Sequence, residues 1–308
     1  MGQLCVPDLS NPLKTDDGTE GVRHKHQRGY YEIVRSLPSG IHIGTSGWSY
    51  PEDWLGVFYT SRISLLNQYL RYFHTAEINS TFYSLPKSSF IRHLAQIPGR
   101  EVFFTAKLPR AVTHDARLDL SGEGGQVLQE FFELMRPLAD SLACLLIQLP
   151  PWDRSQMADL ELFLSSLDES YRYAIEFRHP SWLTSAVERL LEHYDIAYVV
   201  VDEPLLPPVL KVTTDFAYIR WHGHGKRPWY DYRYSVEELR AWVPRVHSLE
   251  EQAGAVLGYF NNHFEGNSAL NALQMLELLD LANPHQSDKL RRMLKRLAAV
   301  QSELDDFW

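Results

Sequence analysis

The ten residues from Tyr173 to Trp182 read Tyr-Ala-Ile-Glu-Phe-Arg-His-Pro-Ser-Trp and begin as a short β-strand. Large apolar residues alternate with Ala174, Glu176 and Arg178, the period-two pattern of a strand that has two different faces. One face is wholly apolar, whereas the other becomes ionic toward its end. The pattern predicts a strand that carries paired charges at its C-terminal end.

The end of this strand is marked by His179-Pro180, because proline has no N–H for the ladder and restricts the residue before it. Ser181 is the predicted N-cap of a helix that begins near Trp182. A carboxylate, a guanidinium and an imidazole therefore lie where a strand leads into a helix. In parallel α/β folds, functional sites are built at such points.

The same strand–helix pattern repeats along the chain from residue 41 onward. Apolar strands are predicted at 41–45, 75–79, 101–107, 142–148, 172–178, 196–202, 216–222 and 255–260. Residues 80–83 are predicted as a loop, and Ser235 with Glu238 forms a capping-box pattern at a helix start. Eight strand–helix units favour a closed (β/α)8 TIM barrel over a doubly wound sheet.

Three segments are predicted on composition and periodicity: a polar N-terminal tail (1–38), the barrel domain (39–284) and an extra C-terminal helix (285–308). The last segment places apolar residues on one helical face and basic residues on the other. We expect this helix to pack on the barrel, with a partner-binding or membrane-surface helix as the alternative.

The composition is typical of a globular protein with a large core: 308 residues, of which 44% are hydrophobic. The net charge of −9 disfavours non-specific nucleic-acid binding, although a local basic groove stays open. Two cysteines make a disulfide framework unexpected and favour a reducing, cytoplasmic location. The sequence contains neither an apolar run long enough for a membrane span nor a signal peptide at its start.

Period-two alternation predicts that polar or charged side chains gather at one rim of the barrel. The residues at the C-terminal ends of the expected inward faces are Glu77, Asn79, Lys107, Gln148, Glu176, Arg178, Asp202, Arg220 and His222. Burying unpaired ions costs several kcal/mol each, so a shared mouth is expected. A functional pocket is favoured over a structural salt-bridge network, which perturbs charges just as strongly.

The preferred chemistry for this set is metal-free acid/base catalysis on a small anionic substrate. Glu176 is the preferred base, Lys107, His222 and Asp202 complete the catalytic set, and Arg178 and Arg220 would grip a phosphate or carboxylate. The other expected substrate contacts are Trp48, Glu77, Asn79, Tyr83, Gln148, His179, Asn261 and Asn262.

Other chemistries are less favoured. Three carboxylates balance three cations, whereas a divalent-ion cage usually leaves carboxylates in excess, so no cofactor is expected. If a metal is bound, Glu176, Asp202 and His222 would hold it. Lys107 could form a Schiff base, but a lysine among carboxylates is more often an ion-pair partner. No phosphate-binding loop, dinucleotide fingerprint or paired Cys-x-x-Cys occurs.

Seven motifs in this order resemble the YecE-like family, the domain of unknown function numbered seventy-two. The motifs are Gly44-Thr45-Ser46-Gly47-Trp48 with Tyr50, Glu77-Ile78-Asn79-Ser80-Thr81-Phe82-Tyr83, Thr113-His114, Gln148-Leu149-Pro150-Pro151, Glu176-Phe177-Arg178-His179 with Trp182, Arg220 with His222-Gly223, and Phe260-Asn261-Asn262. The resemblance spans roughly 41–282. Arg92-His93 and His224 depart from the pattern, which could shift the edge of the substrate site.

The resemblance implies a TIM barrel without a settled biochemical activity. A kinship with the endonuclease IV and xylose isomerase barrels is an analogy of fold alone. Three functions therefore stay open: an enzyme acting on a sugar phosphate or nucleoside-like anion, a metal-dependent phosphodiesterase acting on nucleic acid, and a non-catalytic ligand-binding protein. The first is preferred, with a small anionic molecule as the expected partner and no membrane association. The oligomeric state is not predicted.

Overall fold

The computed structural model describes residues 37–97, 102–226 and 228–305. Within these ranges, eight parallel strands pair in sequence order, and the last pairs with the first, so the sheet closes into a barrel. The strands are Gly40–Ser46 (β1), Thr75–Ile78 (β2), Phe103–Lys107 (β3), Leu142–Gln148 (β4), Tyr173–Glu176 (β5), Ile196–Asp202 (β6), Ala217–Trp221 (β7) and Ala255–Phe260 (β8). The predicted (β/α)8 barrel is confirmed.

Helices surround the barrel. The α-helices are Pro51–Trp54 (α1), Leu65–Tyr69 (α2), Ser80–Tyr83 (α3), Ser88–Ala95 (α4), Glu123–Met135 (α5), Leu160–Ser165 (α6), Ser185–His193 (α7), Val236–Ala253 (α8), Asn267–Leu278 (α9) and Pro284–Asp305 (α10). A π-helical turn, Ala111–Asp115, follows β3. The predicted capping box at Ser235 is confirmed, since its side chain accepts from the backbone of Glu238 and the Glu238 carboxylate accepts in return.

Two apolar layers position the site. The larger layer lies between strands and helices and contains Ile147, Ile175 and Trp221. The smaller layer fills the barrel interior with residues from alternate strand positions, among them Leu146 and Leu257. Because the interior is packed with side chains, polar groups that share its face are confined to the C-terminal rim of the strands.

Two local predictions are wrong. Ser181 does not cap a helix at Trp182; Pro180–Trp182 is a single 3-10 turn, and α7 starts later with Thr184 as its cap. Residues 80–83 form the one-turn helix α3 rather than a loop. In both places the chain turns within three or four residues, which is too short for a periodic sequence signal.

The C-terminal helix α10 contacts the segment between α1 and β2. Gln286 Nε2 donates to the Tyr72 carbonyl at 2.6 Å, and Lys289 Nζ donates to the Phe58 carbonyl at 2.5 Å. The predicted three-segment division stays a prediction, because residues 1–36 of the tail lie outside the described ranges. No helix within those ranges is both long and apolar enough to cross a membrane.

Candidate active site

Arg220 lies at the centre of an ionic network at the C-terminal rim. It comes from β7, where Ile219 and Trp221 face the helices and Tyr218 and Arg220 face the interior. The guanidinium is fully buried, and it donates through Nη1 to Glu176 Oε2 at 2.5 Å and through Nη2 to Glu77 Oε1 at 2.6 Å. One cation therefore holds two carboxylates from strands β5 and β2.

Glu77 is held on the β1 side of the network. Its Oε2 accepts from the Tyr218 hydroxyl at 2.7 Å, and its Oε1 accepts from the Ser46 hydroxyl. Ser46 also accepts from Asn79 Nδ2 at 2.7 Å and from Arg220 at 3.0 Å. Burial would raise the pKa of Glu77, but Arg220, Lys107 and the hydrogen bonds from Ser46 and Tyr218 together outweigh burial and hold the pKa below its usual range. Glu77 is therefore an ionised, fully engaged carboxylate.

Glu176 is engaged on both oxygens as well. Its Oε1 accepts from Arg178 Nε at 2.5 Å, while Oε2 accepts from Arg220. Although burial would raise the pKa of Glu176, Arg178 and Arg220 together hold it well below its usual range. Gln148, whose strand pairs with β5 at this position, accepts from both guanidiniums at 3.3–3.4 Å. Glu176 is consequently a weak base, and its evident role is to orient two arginines.

His222 lies beside the two arginines and is fully buried. Its Nε2 is 3.2 Å from Arg178 Nη2 and 3.4 Å from Arg220 Nη1, and its Nδ1 is 2.9 Å from Asn261 Nδ2. Burial lowers the pKa of His222 to about 3 against the opposing effect of Glu176, so the ring is neutral near pH 7. A neutral Nε2 can accept a hydrogen bond from a guanidinium.

Lys107 differs from the other cations of the rim. It ends β3, is 8% exposed, and its Nζ lies 4.4 Å from the centroid of the Phe82 ring. Within the described ranges, no carboxylate lies within 4.0 Å of Nζ. Burial and the charge of Arg220 lower the pKa of Lys107 to about 7, despite the opposing charges of Glu77 and Glu176. The ion pair expected for this lysine does not form.

Asp202 does not face the interior, so the predicted inward set of β6 is wrong. Tyr198 and Val200, which share its face, pack in the outer layer. The Asp202 carboxylate accepts from Trp242 Nε1 on α8 at 3.0 Å and lies 2.8 Å from His224 Nε2. Because β6 is apolar on both faces, alternation alone could not decide which face is inward.

Glu203 occupies the inward position that was expected for Asp202. Val201 pairs with Arg220 in register, and Glu203 follows two residues later. Its side chain is 3% exposed, and neither carboxylate oxygen has a hydrogen-bond partner among the described residues. Burial raises the pKa of Glu203 to about 7 against the opposing charge of Arg178. The sequence did not predict this residue. The one weak signal for the face that points inward was Ala197, a small residue that pairs with Ala174 of β5.

The remaining predicted contacts are dispersed. Trp48 packs against Phe90 and Phe104 in the outer layer, and buried Asn262 donates to the Tyr232 carbonyl and to Asn271. His179 Nδ1 is 2.8 Å from the Ser181 hydroxyl, outside the ionic network. Tyr83 is 80% exposed on α3. The structure thus brings together the following residues, of which Ser46 and Tyr218 were not predicted as site residues: Ser46, Glu77, Asn79, Gln148, Glu176, Arg178, Tyr218, Arg220, His222 and Asn261.

The predicted metal set is not assembled, because Asp202 faces away from Glu176 and His222. In the part of the chain that the structure describes, no group of three or more His, Cys, Asp or Glu residues is arranged to hold a metal ion. The carboxylates Glu77 and Glu176 are instead engaged by arginines.

Comparison with known proteins places this barrel in a family. The family model described as "Protein of unknown function DUF72" matches residues 42–295. The chain belongs to the DUF72 family. The resemblance to YecE-like proteins is thereby confirmed, and the match extends beyond the predicted 41–282 into α10.

Two relatives show how far the DUF72 similarity reaches. The UPF0759 protein YunF of Bacillus subtilis (strain 168) is 28% identical over 272 residues, which cover 78% of this chain and 95% of YunF. The UPF0759 protein YecE of Escherichia coli (strain K12) is 31% identical over 149 residues, 48% of this chain and 52% of YecE. The alignment with YecE therefore spans about half the length of that protein.

Solved DUF72 structures share the fold. A DUF72 family protein of Thermotoga maritima is 34% identical, with a TM-score of 0.66 over 78% of this chain and 99% of that protein. A DUF72 family protein of Enterococcus faecalis, 22% identical, gives a TM-score of 0.67 over 80% of this chain and 99% of its own. These similarities support the barrel fold, and they show neither an activity nor a substrate.

Proposed function

We propose that this DUF72 barrel is an enzyme that carries out acid/base chemistry on a small, polar, anionic substrate at the C-terminal mouth of the barrel. The observation that carries the proposal is Glu203, a buried carboxyl group without a hydrogen-bond partner among the described residues, next to an ionic network. Such an arrangement costs stability, and proteins concentrate costly buried groups at functional sites.

The proton-transfer groups proposed here, Glu203 and Lys107, differ from the sequence interpretation, in which Glu176 is the preferred base. Glu176 is a poor proton acceptor because two arginines hold its pKa well below neutrality. Glu203 and Lys107 are the rim groups whose pKa values lie close to 7. A general acid or base works best when its pKa is near the working pH, so these two residues take the proton-transfer roles in this proposal.

The charge of the mouth supports an anionic substrate. Glu77 and Glu176 are balanced by Arg178 and Arg220, so the mouth carries a local positive excess when Lys107 is protonated and Glu203 is neutral. Arg178 is 13% exposed, and its Nη1 is not engaged by any of the described residues. A free guanidinium N–H beside a partly neutral lysine suits one phosphate or carboxylate group. Arg220, buried and fully engaged through both Nη atoms, is a structural cation rather than the second half of a clamp.

Binding is tested by thermal shift with matched pairs of compounds, such as glucose 6-phosphate against glucose and uridine monophosphate against uridine. A bound ligand at 100 times its dissociation constant stabilises the folded state by about 2.7 kcal/mol. We expect the anionic member of at least one pair to raise the melting temperature and the neutral member to leave it unchanged. Arg178→Gln should abolish the shift, whereas Arg136→Gln, which alters an exposed arginine paired with Glu133, should retain it.

Turnover is tested by following each stabilising compound with proton and phosphorus NMR. We expect product with the wild type and a loss of turnover of about 10²- to 10⁴-fold in Glu203→Gln, with the thermal shift retained. A panel in which no anion stabilises the protein would refute the proposal. Stabilisation without product would make the chain a non-catalytic binding protein instead.

A further inference from the structure

We infer that Lys107 is a nucleophile that forms a Schiff base with an aldehyde or ketone substrate. This inference deepens the proposed function and rests on it, because it names the substrate class of the same mouth: a small carbonyl compound that carries an anionic group. The observations behind it are the position of Lys107 on β3, the environment of its amine, and the pairing of the nearby carboxylates with arginines.

The first observation is the absence of an ion-pair partner among the described residues. Glu77 and Glu176 act on Lys107 electrostatically, but both accept hydrogen bonds from arginines, and neither lies within 4.0 Å of Nζ. A lysine that is paired with a carboxylate stays protonated and is not nucleophilic. Lys107 has no such partner among the described residues. The reason for preferring an ion pair over a Schiff base therefore does not apply to it.

The second observation is the environment of the amine. Nζ stands over the Phe82 ring at 4.4 Å in a site that leaves the residue 8% exposed. Burial and two neighbouring guanidiniums favour the neutral amine, and a desolvated lysine next to another cation is a recognised way of activating this nucleophile. The charged groups that act on Lys107 are Glu77 on β2, Glu176 and Arg178 at the end of β5, and Arg220 on β7.

The third observation is that the backbone of Lys107 is fixed. Thr81 Oγ1 on α3 donates to the Lys107 carbonyl at 2.7 Å, and the β3–β4 ladder pairs Lys107 with Leu146. The amine is therefore presented from a rigid strand end, with Arg178 close enough for its charge to act on it. The inference places the anionic group of the substrate at Arg178 and its carbonyl carbon at Nζ.

The chemical step requires no oxidant, reductant or metal. The neutral amine of Lys107 adds its lone pair to the carbonyl carbon as the C=O π bond breaks, and one proton passes from the nitrogen to the oxygen to give a carbinolamine. The nitrogen loses its remaining proton as the hydroxyl group leaves with another, so one water is released for each imine formed. Hydrolysis reverses the step and restores the amine.

The test traps the imine in the wild-type protein. Full-length protein is incubated at pH 7 with glyoxylate, a small anionic aldehyde, together with sodium cyanoborohydride, and the modified lysines are identified by peptide mass spectrometry. Lys87, an exposed lysine, serves as the internal control, and Lys289, a buried lysine whose amine donates to a backbone carbonyl, serves as a matched buried control. Acetaldehyde is run in parallel as the uncharged aldehyde.

We expect Lys107 to be labelled at least tenfold faster than Lys87 and about fivefold faster than Lys289, because burial lowers the pKa of Lys289 to about 8. A free lysine amine, with a reference pKa of ~10.4, is less than about 0.1% neutral at pH 7, whereas Lys107, with a pKa of about 7, is half neutral. Labelling of Lys107 should level off above pH 8. Glyoxylate should outpace acetaldehyde at Lys107 in the wild type, and this preference should disappear in Arg178→Gln.

Labelling of Lys107 no faster than that of Lys87 would overturn the inference. If anionic compounds still stabilise the protein in the thermal-shift panel, the proposed acid/base function survives that result. If Lys107 is labelled rapidly but equally by the charged and uncharged aldehydes, the nucleophile stands and the anionic substrate class falls. Lys107→Arg places a permanent positive charge at this position and cannot form an imine, and it should eliminate the Lys107 adduct while leaving the Lys87 adduct unchanged.

Discussion

Replacing Glu203 by glutamine should remove a pH dependence of stability that the wild type carries. The folded carboxyl has a pKa of about 7, compared with 4.5 for an ordinary glutamate. The folded state therefore binds this proton more tightly than the unfolded state does. Stability from this group is complete below pH 4.5 and is lost as the pH rises to about 7 and above.

The size of the effect follows from the shift. A difference of 2.5 pH units, at 1.36 kcal/mol per unit, corresponds to about 3 kcal/mol, and the figure needs little correction for solvent screening because the side chain is 3% exposed. In a barrel of this size, that is about 6 °C in melting temperature, at ~2 °C per kcal/mol. The groups whose charges act on Glu203 are Glu176, Arg178, Arg220 and His224.

The assay compares the wild type with Glu203→Gln by urea denaturation at intervals between pH 4.5 and pH 8. The buried amide costs stability at every pH, so the informative quantity is the change with pH of the difference between the two proteins. That difference should move by about 3 kcal/mol in favour of the variant between pH 4.5 and pH 8. A difference that stays constant across this range would refute the assignment of Glu203 as a neutral buried acid.

Three other predictions test the packing and the network. Arg220→Met should lower the free energy of unfolding by about 3–5 kcal/mol in urea denaturation, because it leaves Glu77 and Glu176 buried without their shared cation; a loss below 1 kcal/mol would contradict the buried pairing. The ring carbons of His222 should show no titration by NMR between pH 5 and pH 8, since its pKa is about 3; an inflection near pH 6.5 would show that the ring is not buried as described. Gly44→Ala should cost roughly 2–3 kcal/mol, because its new Cβ would lie 2.3 Å from the Thr75 carbonyl oxygen; unchanged melting would show that the two strands do not approach this closely.

The clustering of charges at one rim could be predicted from two patterns in the sequence: the alternation within each strand and the repeat of strand–helix units. Period two within strands indicates which residues share a face, and eight strand–helix repeats indicate closure. Together they place Glu77, Lys107, Glu176, Arg178 and Arg220 at the same end of the barrel, and the hydrogen bonds and electrostatic interactions among them agree with that placement.

Two features of the site were decided only by the tertiary structure. The phase of β6 places Asp202 on Trp242 and Glu203 in the interior, and a strand that is buried on both faces has no alternation from which that phase could be read. The other feature is the choice of ion-pair partners. Arg220 pairs with two carboxylates, whereas Lys107 forms no ion pair with a carboxylate of the described residues.

The sequence does not show which carboxylate pairs with which cation, because the pairing depends on the register between strands and on the distances between side chains across the barrel. Composition shows three carboxylates and three cations on the predicted rim, but the count is the same for every way of pairing them. A planar guanidinium at the centre can hold two carboxylates with its parallel N–H groups, whereas an ammonium at the edge cannot. The sequence alone therefore determined the barrel and most of the composition of its rim, with Asp202 wrongly included and Glu203 missed. The three-dimensional placement of Arg220 decided that Glu77 and Glu176 pair with it and that Lys107 has no carboxylate partner among the described residues.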